Sequence, residues 1–200
     1  MHLFKKTKFS SLSDAIQNPK NCKNLRLSFI DCNLKDEGAI FSKFINLKVL
    51  EIQADPTIYN LDDFELPKEI VSLKKIEKIS LLNLPFKTFP EWITNIKSLK
   101  YLMIRGNEID SIPDSIYQLD NLKTLRVENC RLNKLPTTLN QMQNLRILGL
   151  SDTDLTDLSS ELFPNNLKEI NLSGRQKYGI HELEKLKSAI KKTKIYPKVG

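Results

Sequence analysis

The chain has 200 residues, with 40% hydrophobic, 28% charged, six Gly and nine Pro, which suits one globular domain with a substantial core and excludes a disordered or collagen-like polymer. No apolar run reaches the ~20 residues that cross a bilayer, so no membrane insertion is expected. The net charge of +7 is unevenly placed: residues 1–23 carry +4, residues 175–200 carry +6 and the middle carries −3, whereas a duplex-binding protein should show a basic stripe along its working face.

The start, MHLFKKTKFSSLSDAIQNP, is basic but has no apolar h-region behind it, so a cytoplasmic location is expected. Phe9, Leu12 and Ile16 fall at helical spacing, and Asn18-Pro19 stops the run. Residues 1–23 therefore read as an N-terminal helical cap. From residue 24 to residue 175 the chain repeats itself. The first unit opens at Asn24 as NLRLSFIDCNL, and Leu47 opens a longer unit of 29 residues with six extra near 56–64. Units then begin at Ile76, Leu99, Leu122 and Leu145 with a period of 23, shortening to 22 before Leu167. In each unit two apolar residues stand two apart: Leu27/Phe29, Leu50/Ile52, Ile79/Leu81, Leu102/Ile104, Leu125/Val127, Leu148/Leu150 and Ile170/Leu172. Alternation of this kind puts both on one side of a short strand. No unit can bury that face alone, but stacked units can. Ile180, Leu183, Leu186 and Ile190 form a last apolar stripe, so residues 176–200 read as a C-terminal helical cap on one structural domain, complete at both ends.

The units follow L-x-x-L-x-L-x-x-N/C-x-L, with Pro67, Pro90, Pro113 and Pro136 at one downstream register. This pattern resembles the leucine-rich-repeat family, and short bacterial members in particular. The resemblance implies an α/β repeat solenoid: a curved, parallel, concave β-sheet, an irregular, 3-10 or helical convex side, and helical caps. It also implies a scaffold that binds a protein or peptide on the concave face. The ninth position, which the family fills with Asn or Cys, is here Cys32, Asp55, Leu84, Asn107, Cys130, Thr153 and Arg175, so a regular Asn ladder is not expected there. Cys32 and Cys130 take structural places in it. Cys22 reads as a buried free thiol.

The residues between the core positions face the concave side in three rows. The first is Arg26, Val49, Lys78, Tyr101, Thr124, Ile147 and Glu169; the second Ser28, Glu51, Ser80, Met103, Arg126, Gly149 and Asn171; the third Ile30, Gln53, Leu82, Arg105, Glu128, Ser151 and Ser173. At the centre, Leu82, Tyr101, Met103 and Ile147 are apolar residues expected to face water, beside Arg105, Arg126 and Glu128. Aromatic, Met and Arg side chains dominate interface hot spots, so these seven are the candidate partner-binding residues. Tyr59, in the six-residue insertion, is a second candidate contact.

Candidates for chemistry are poor. His2 and His181 lie far from any Cys or Ser arrangement, so no catalytic residue is assigned. His181 reads as a solvent-facing cap residue. Asp152, Asp154 and Asp157 lack the glycine and register of a calcium loop and read as turn residues bonding local backbone, so no metal site is expected. No phosphate loop is present, and no cofactor is expected. Trp92 reads as a partly buried convex core residue. The alternative function is binding of nucleic acid or an anionic surface through the basic caps, Lys5, Lys6, Lys8, Lys20 and Lys23 with Lys185, Lys187, Lys191, Lys192 and Lys194. A solenoid holds those ends apart, which makes nucleic acid the weaker reading. A monomer is expected, the exposed concave patch being the surface through which a dimer would form.

Overall fold

The computed structural model describes residues 6–30, 34–55, 64–175 and 177–197, and only the backbone of Phe29. Nine parallel strands form one sheet in chain order: β1 Lys8–Phe9, β2 Asn24–Ile30, β3 Val49–Ala54, β4 Lys78–Leu82, β5 Tyr101–Arg105, β6 Thr124–Glu128, β7 Ile147–Gly149, β8 Glu169–Asn171 and β9 Lys194–Tyr196. Three α-helices are described: α1 Leu12–Gln17, α2 Gly38–Phe41 and α3 Ile180–Ala189. The convex returns are otherwise 3-10 turns, such as Lys68–Ser72, Glu91–Asn95 and Asp114–Gln118. The recurring prolines start them: the carbonyls of Pro67, Pro90, Pro113 and Pro136 accept from the amides of Ile70, Ile93, Ile116 and Leu139 at 3.0–3.2 Å. Proline's fixed φ suits the first residue of such a turn, and its missing N–H is not needed there.

One core runs the length of the stack. Leu50, Ile52, Ile79, Leu81, Leu102, Ile104, Leu125, Val127, Leu148 and Ile170 are fully buried beneath the sheet, with Ile93, Ile116 and Leu139 of the returns against them. Trp92 is half-buried and packed on this core.

Two devices tie unit to unit. The eighth residue of successive units, Asn83, Gly106, Asn129, Asp152 and Gly174, has positive φ between 48° and 90°. The left-handed conformation is tolerated by Gly, Asn and Asp and by few others, which explains the residue choice at this register. The amides of the first four donate to carbonyls of the following unit, as Asn129 does to Ser151 at 2.9 Å. The second device is an asparagine ladder one residue before the opening leucine. Asn46, Asn121, Asn144 and Asn166 donate their side-chain amides to the carbonyls of Lys20, Lys97, Asp120 and Gln143 at 2.8–3.2 Å, and Ser98 donates its hydroxyl to the carbonyl of Ile76 at 2.6 Å. At the ninth position, Asn107 and Cys130 bond the carbonyl two residues back, while Leu84 is simply buried. The regular ladder is thus present, at a different register from the family's ninth position.

The first unit and the caps differ from expectation. Strand β2 pairs with β3 as Asn24↔Val49, Leu25↔Leu50 and Leu27↔Ile52. The inward pair is therefore Leu25/Leu27, not Leu27/Phe29, and the opening position belongs to Cys22, which is fully buried in the leucine's place. Arg26 consequently aligns with Glu51 rather than Val49. At the N-terminus Phe9 lies in β1, buried against the sheet, and only Leu12–Gln17 is helical, with Ser11 Oγ accepting from Asp14 N at 3.2 Å. At the other end α3 buries Leu183 and Leu186, but Ile180 is 70% exposed, and the chain returns as β9. Each cap combines a helix with an added strand, so the sheet ends in strands of two and three residues that offer little free backbone to another chain.

Candidate functional site

The concave face is built by the outward side chains of the in-register strands. Leu82, Arg105 and Glu128 align along one row, Met103 and Arg126 along the next, and Tyr101, Thr124 and Ile147 along the third. Seven expected contacts thus come together on β4–β7. Tyr59 lies outside the described residues.

Their exposures are unequal, and charge pairing explains why. Leu82, Tyr101, Met103, Arg126 and Ile147 are half-buried and Arg105 is exposed. Glu128, expected to face water beside Arg105, is instead buried, and its Oε1 accepts from Arg126 Nη1 at 2.9 Å. Gly149 creates the room. A Cβ built there would collide with Glu128 Oε1 and stand 2.8 Å from Arg126 Cγ. Both long side chains therefore lean across the glycine of the neighbouring strand. Arg105 keeps no side-chain ion pair among the described residues.

The corrected first-unit register brings in residues that the sequence reading did not single out. Glu51 takes Arg26 Nε at 2.6 Å on one oxygen and Lys78 Nζ at 2.7 Å on the other. Lys78 also stands 4.7 Å over the Tyr101 ring, and the Tyr101 hydroxyl donates to Met103 Sδ at 3.8 Å. The face thus has an apolar centre flanked by two internal charge clusters, with Arg105 and Glu169 outside them. The signal for Glu51 was present in its row but was obscured by the misplaced Arg26.

No arrangement for chemistry appears among the described residues. His181 is exposed. No group of three His, Cys, Asp or Glu residues that could hold a metal ion occurs there. The three aspartates have separate tasks. Asp157 bonds its local turn through Ser159 N at 2.8 Å, whereas Asp152 reaches Arg175 N of the next unit at 2.9 Å. Asp154 is held between Arg175 Nε at 3.2 Å and Lys177 Nζ at 3.3 Å. Burial pushes the Cys22 thiol up to about 11 and also raises that of Cys130, which favours the protonated thiol of both at neutral pH.

The sequence matches the leucine-rich repeat region family over residues 24–173. The chain belongs to the leucine-rich-repeat family. Repeat proteins of this kind commonly mediate protein–protein interaction and are generally binding scaffolds rather than enzymes. Among solved structures, a leucine-rich-repeat protein of Leptospira interrogans is similar at 25% identity and a TM-score of 0.67, over 96% of this chain. The chain spans 58% of that protein's length. A search of curated proteins returns no match. No helix of the described residues is long and apolar enough to cross a membrane.

Proposed function

We propose that this repeat protein is a scaffold that binds an extended peptide or one face of a small domain on the centre of its concave sheet. Tyr101, Met103, Ile147 and Leu82 serve as apolar anchors, and Arg105 takes a carboxylate or carbonyl of the partner. One observation carries the reading. Two acids beside the apolar centre have their counter-charges within the protein, Glu51 in Arg26 and Lys78 and Glu128 in Arg126. A partner can therefore dehydrate the centre without leaving these charges unpaired, a cost that otherwise runs to several kcal/mol per ion (~3–5). Arg126 acts as a support for Glu128 rather than as a contact. The sheet spans roughly 29 Å from β2 to β8, at ~4.8 Å per strand, which suits a single peptide or loop.

The test is capture of a protein from the source organism's lysate by the native chain and by a Tyr101→Ala/Arg105→Ala variant. Both side chains lie on the water side of β5, so the variant should keep the native circular dichroism spectrum. A specific protein retained by the native chain and lost by the folded variant supports the reading. The same capture by both chains moves the site off the concave centre.

A further inference from the structure

The net charge of each segment conceals where the cations stand. The residue immediately before each strand from β2 to β8 is Lys23, Lys48, Glu77, Lys100, Lys123, Arg146 and Lys168, so six of these seven positions are basic. The backbone fixes them in line. The carbonyl of Lys23 accepts the amides of Lys48 and Val49, that of Lys100 accepts those of Lys123 and Thr124, and that of Arg146 accepts those of Lys168 and Glu169, all at 2.7–3.2 Å. The side chains leave the same flank of the solenoid one strand apart, over roughly 29 Å.

Four of these six cations are unspent, and Arg146 bonds the carbonyls of Gln143 and Leu145 at 2.8 and 2.9 Å. Lys23, Lys48, Lys123 and Lys168 are exposed and make no ion pair among the described residues. Lys100 meets Glu77 at 3.2 Å, an exposed pair. The positions just upstream add Lys20, Lys74, Lys75 and Lys97, against Asp120 as the acid. At the two ends the same position is Thr7 before β1 and Thr193 before β9, so the row of cations runs from β2 to β8. On the opposite flank Arg131 pairs with Glu108, and Arg175 and Lys177 with Asp154, while Lys87 and Lys134 stand without an ion pair among the described residues.

We propose that this flank docks the repeat protein on the surface of an anionic lipid bilayer, leaving the concave face open to its partner. A membrane surface attracts such cations without requiring them to match any spacing. Two further observations favour lipid over nucleic acid. Ile45 lies among Asn46, Lys74 and Lys75 on this flank and is 53% exposed, an apolar side chain placed to enter the headgroup layer. Among the described residues the exposed aromatics that could stack bases, Tyr117 and Tyr196, stand instead on a convex turn and on the concave sheet.

The test is sedimentation of the full chain with phosphatidylcholine vesicles, with and without one third phosphatidylglycerol. It compares Lys123→Gln/Lys168→Gln with the opposite-flank control Lys87→Gln/Lys134→Gln, both checked for native thermal unfolding. The native chain should bind the anionic vesicles alone, and less as salt rises. At about fivefold per lysine, the flank variant should lose about 25-fold in partitioning while the control stays within about twofold. Equal loss in both variants, or no binding of anionic vesicles, overturns the proposal. Binding of a DNA duplex or single strand in place of vesicles also overturns it and assigns the flank to nucleic acid. Neither result bears on capture through Tyr101 and Arg105, which lie on the concave face.

Discussion

Gly149 is a strand residue with no left-handed backbone to explain it, and its role is to leave space for a neighbour. Giving it a methyl group sets that carbon against Glu128 Oε1 and within 2.8 Å of Arg126 Cγ. Arg126 can bend away at its stem. Glu128 is almost fully buried and must leave its place with its guanidinium partner or crowd the sheet. Overpacking of this kind costs about 1–3 kcal/mol. For a domain of this size the melting temperature should fall by roughly 3–9 °C, at about 3 °C per kcal/mol. Thermal unfolding of four chains measures it: native, Gly149→Ala, Glu128→Ala and the double variant. Once Glu128 is shortened the added methyl group has room, so Gly149→Ala should be close to neutral in that background. The expected coupling is then the whole cost, about 1–3 kcal/mol. If Gly149→Ala costs the same in both backgrounds, or nothing in either, the account of why Glu128 is buried is wrong.

Other outcomes follow from the ties between units and from the buried thiol. Asn144→Ala removes the 2.8 Å bond from its side-chain amide to Asp120 O and should cost about 1 kcal/mol in urea unfolding, with an unchanged m-value. At Asn129, where φ is 48°, replacement by Gly should be neutral or slightly stabilising and replacement by Val should cost about 1–2 kcal/mol, since only the latter resists the left-handed region. The Cys22 thiol is raised by burial from 9.0 to about 11, so the folded state holds its proton over a range in which the unfolded chain has released it. That contribution is complete below pH 9 and is lost as pH rises through 11, about 2–3 kcal/mol in all. Denaturant midpoints across this window should fall less steeply in Cys22→Ala than in the native chain.

The sequence by itself determined the repeat architecture. Its period of 23 and the paired apolar residues from Leu50/Ile52 to Ile170/Leu172 leave a stacked parallel sheet as the arrangement that buries every unit. It also located the concave centre, because alternation decides which side of a strand each residue occupies. Three things escaped it. In NLRLSFI three apolar residues alternate, so two registers fit equally well, and pairing with β3 chose the one that puts Cys22 in the leucine's place. Strands β1 and β9, of two and three residues, are too short to carry a period and form only by pairing with β2 and β8. The burial of Glu128 depends on a glycine in the next unit, and the basic flank depends on residues 23 apart being brought side by side. Short-range pattern is written along the chain. Contacts between units arise only when the turns are stacked, so tertiary structure alone decided which charges are spent on neighbours and which stay at the surface without an ion pair.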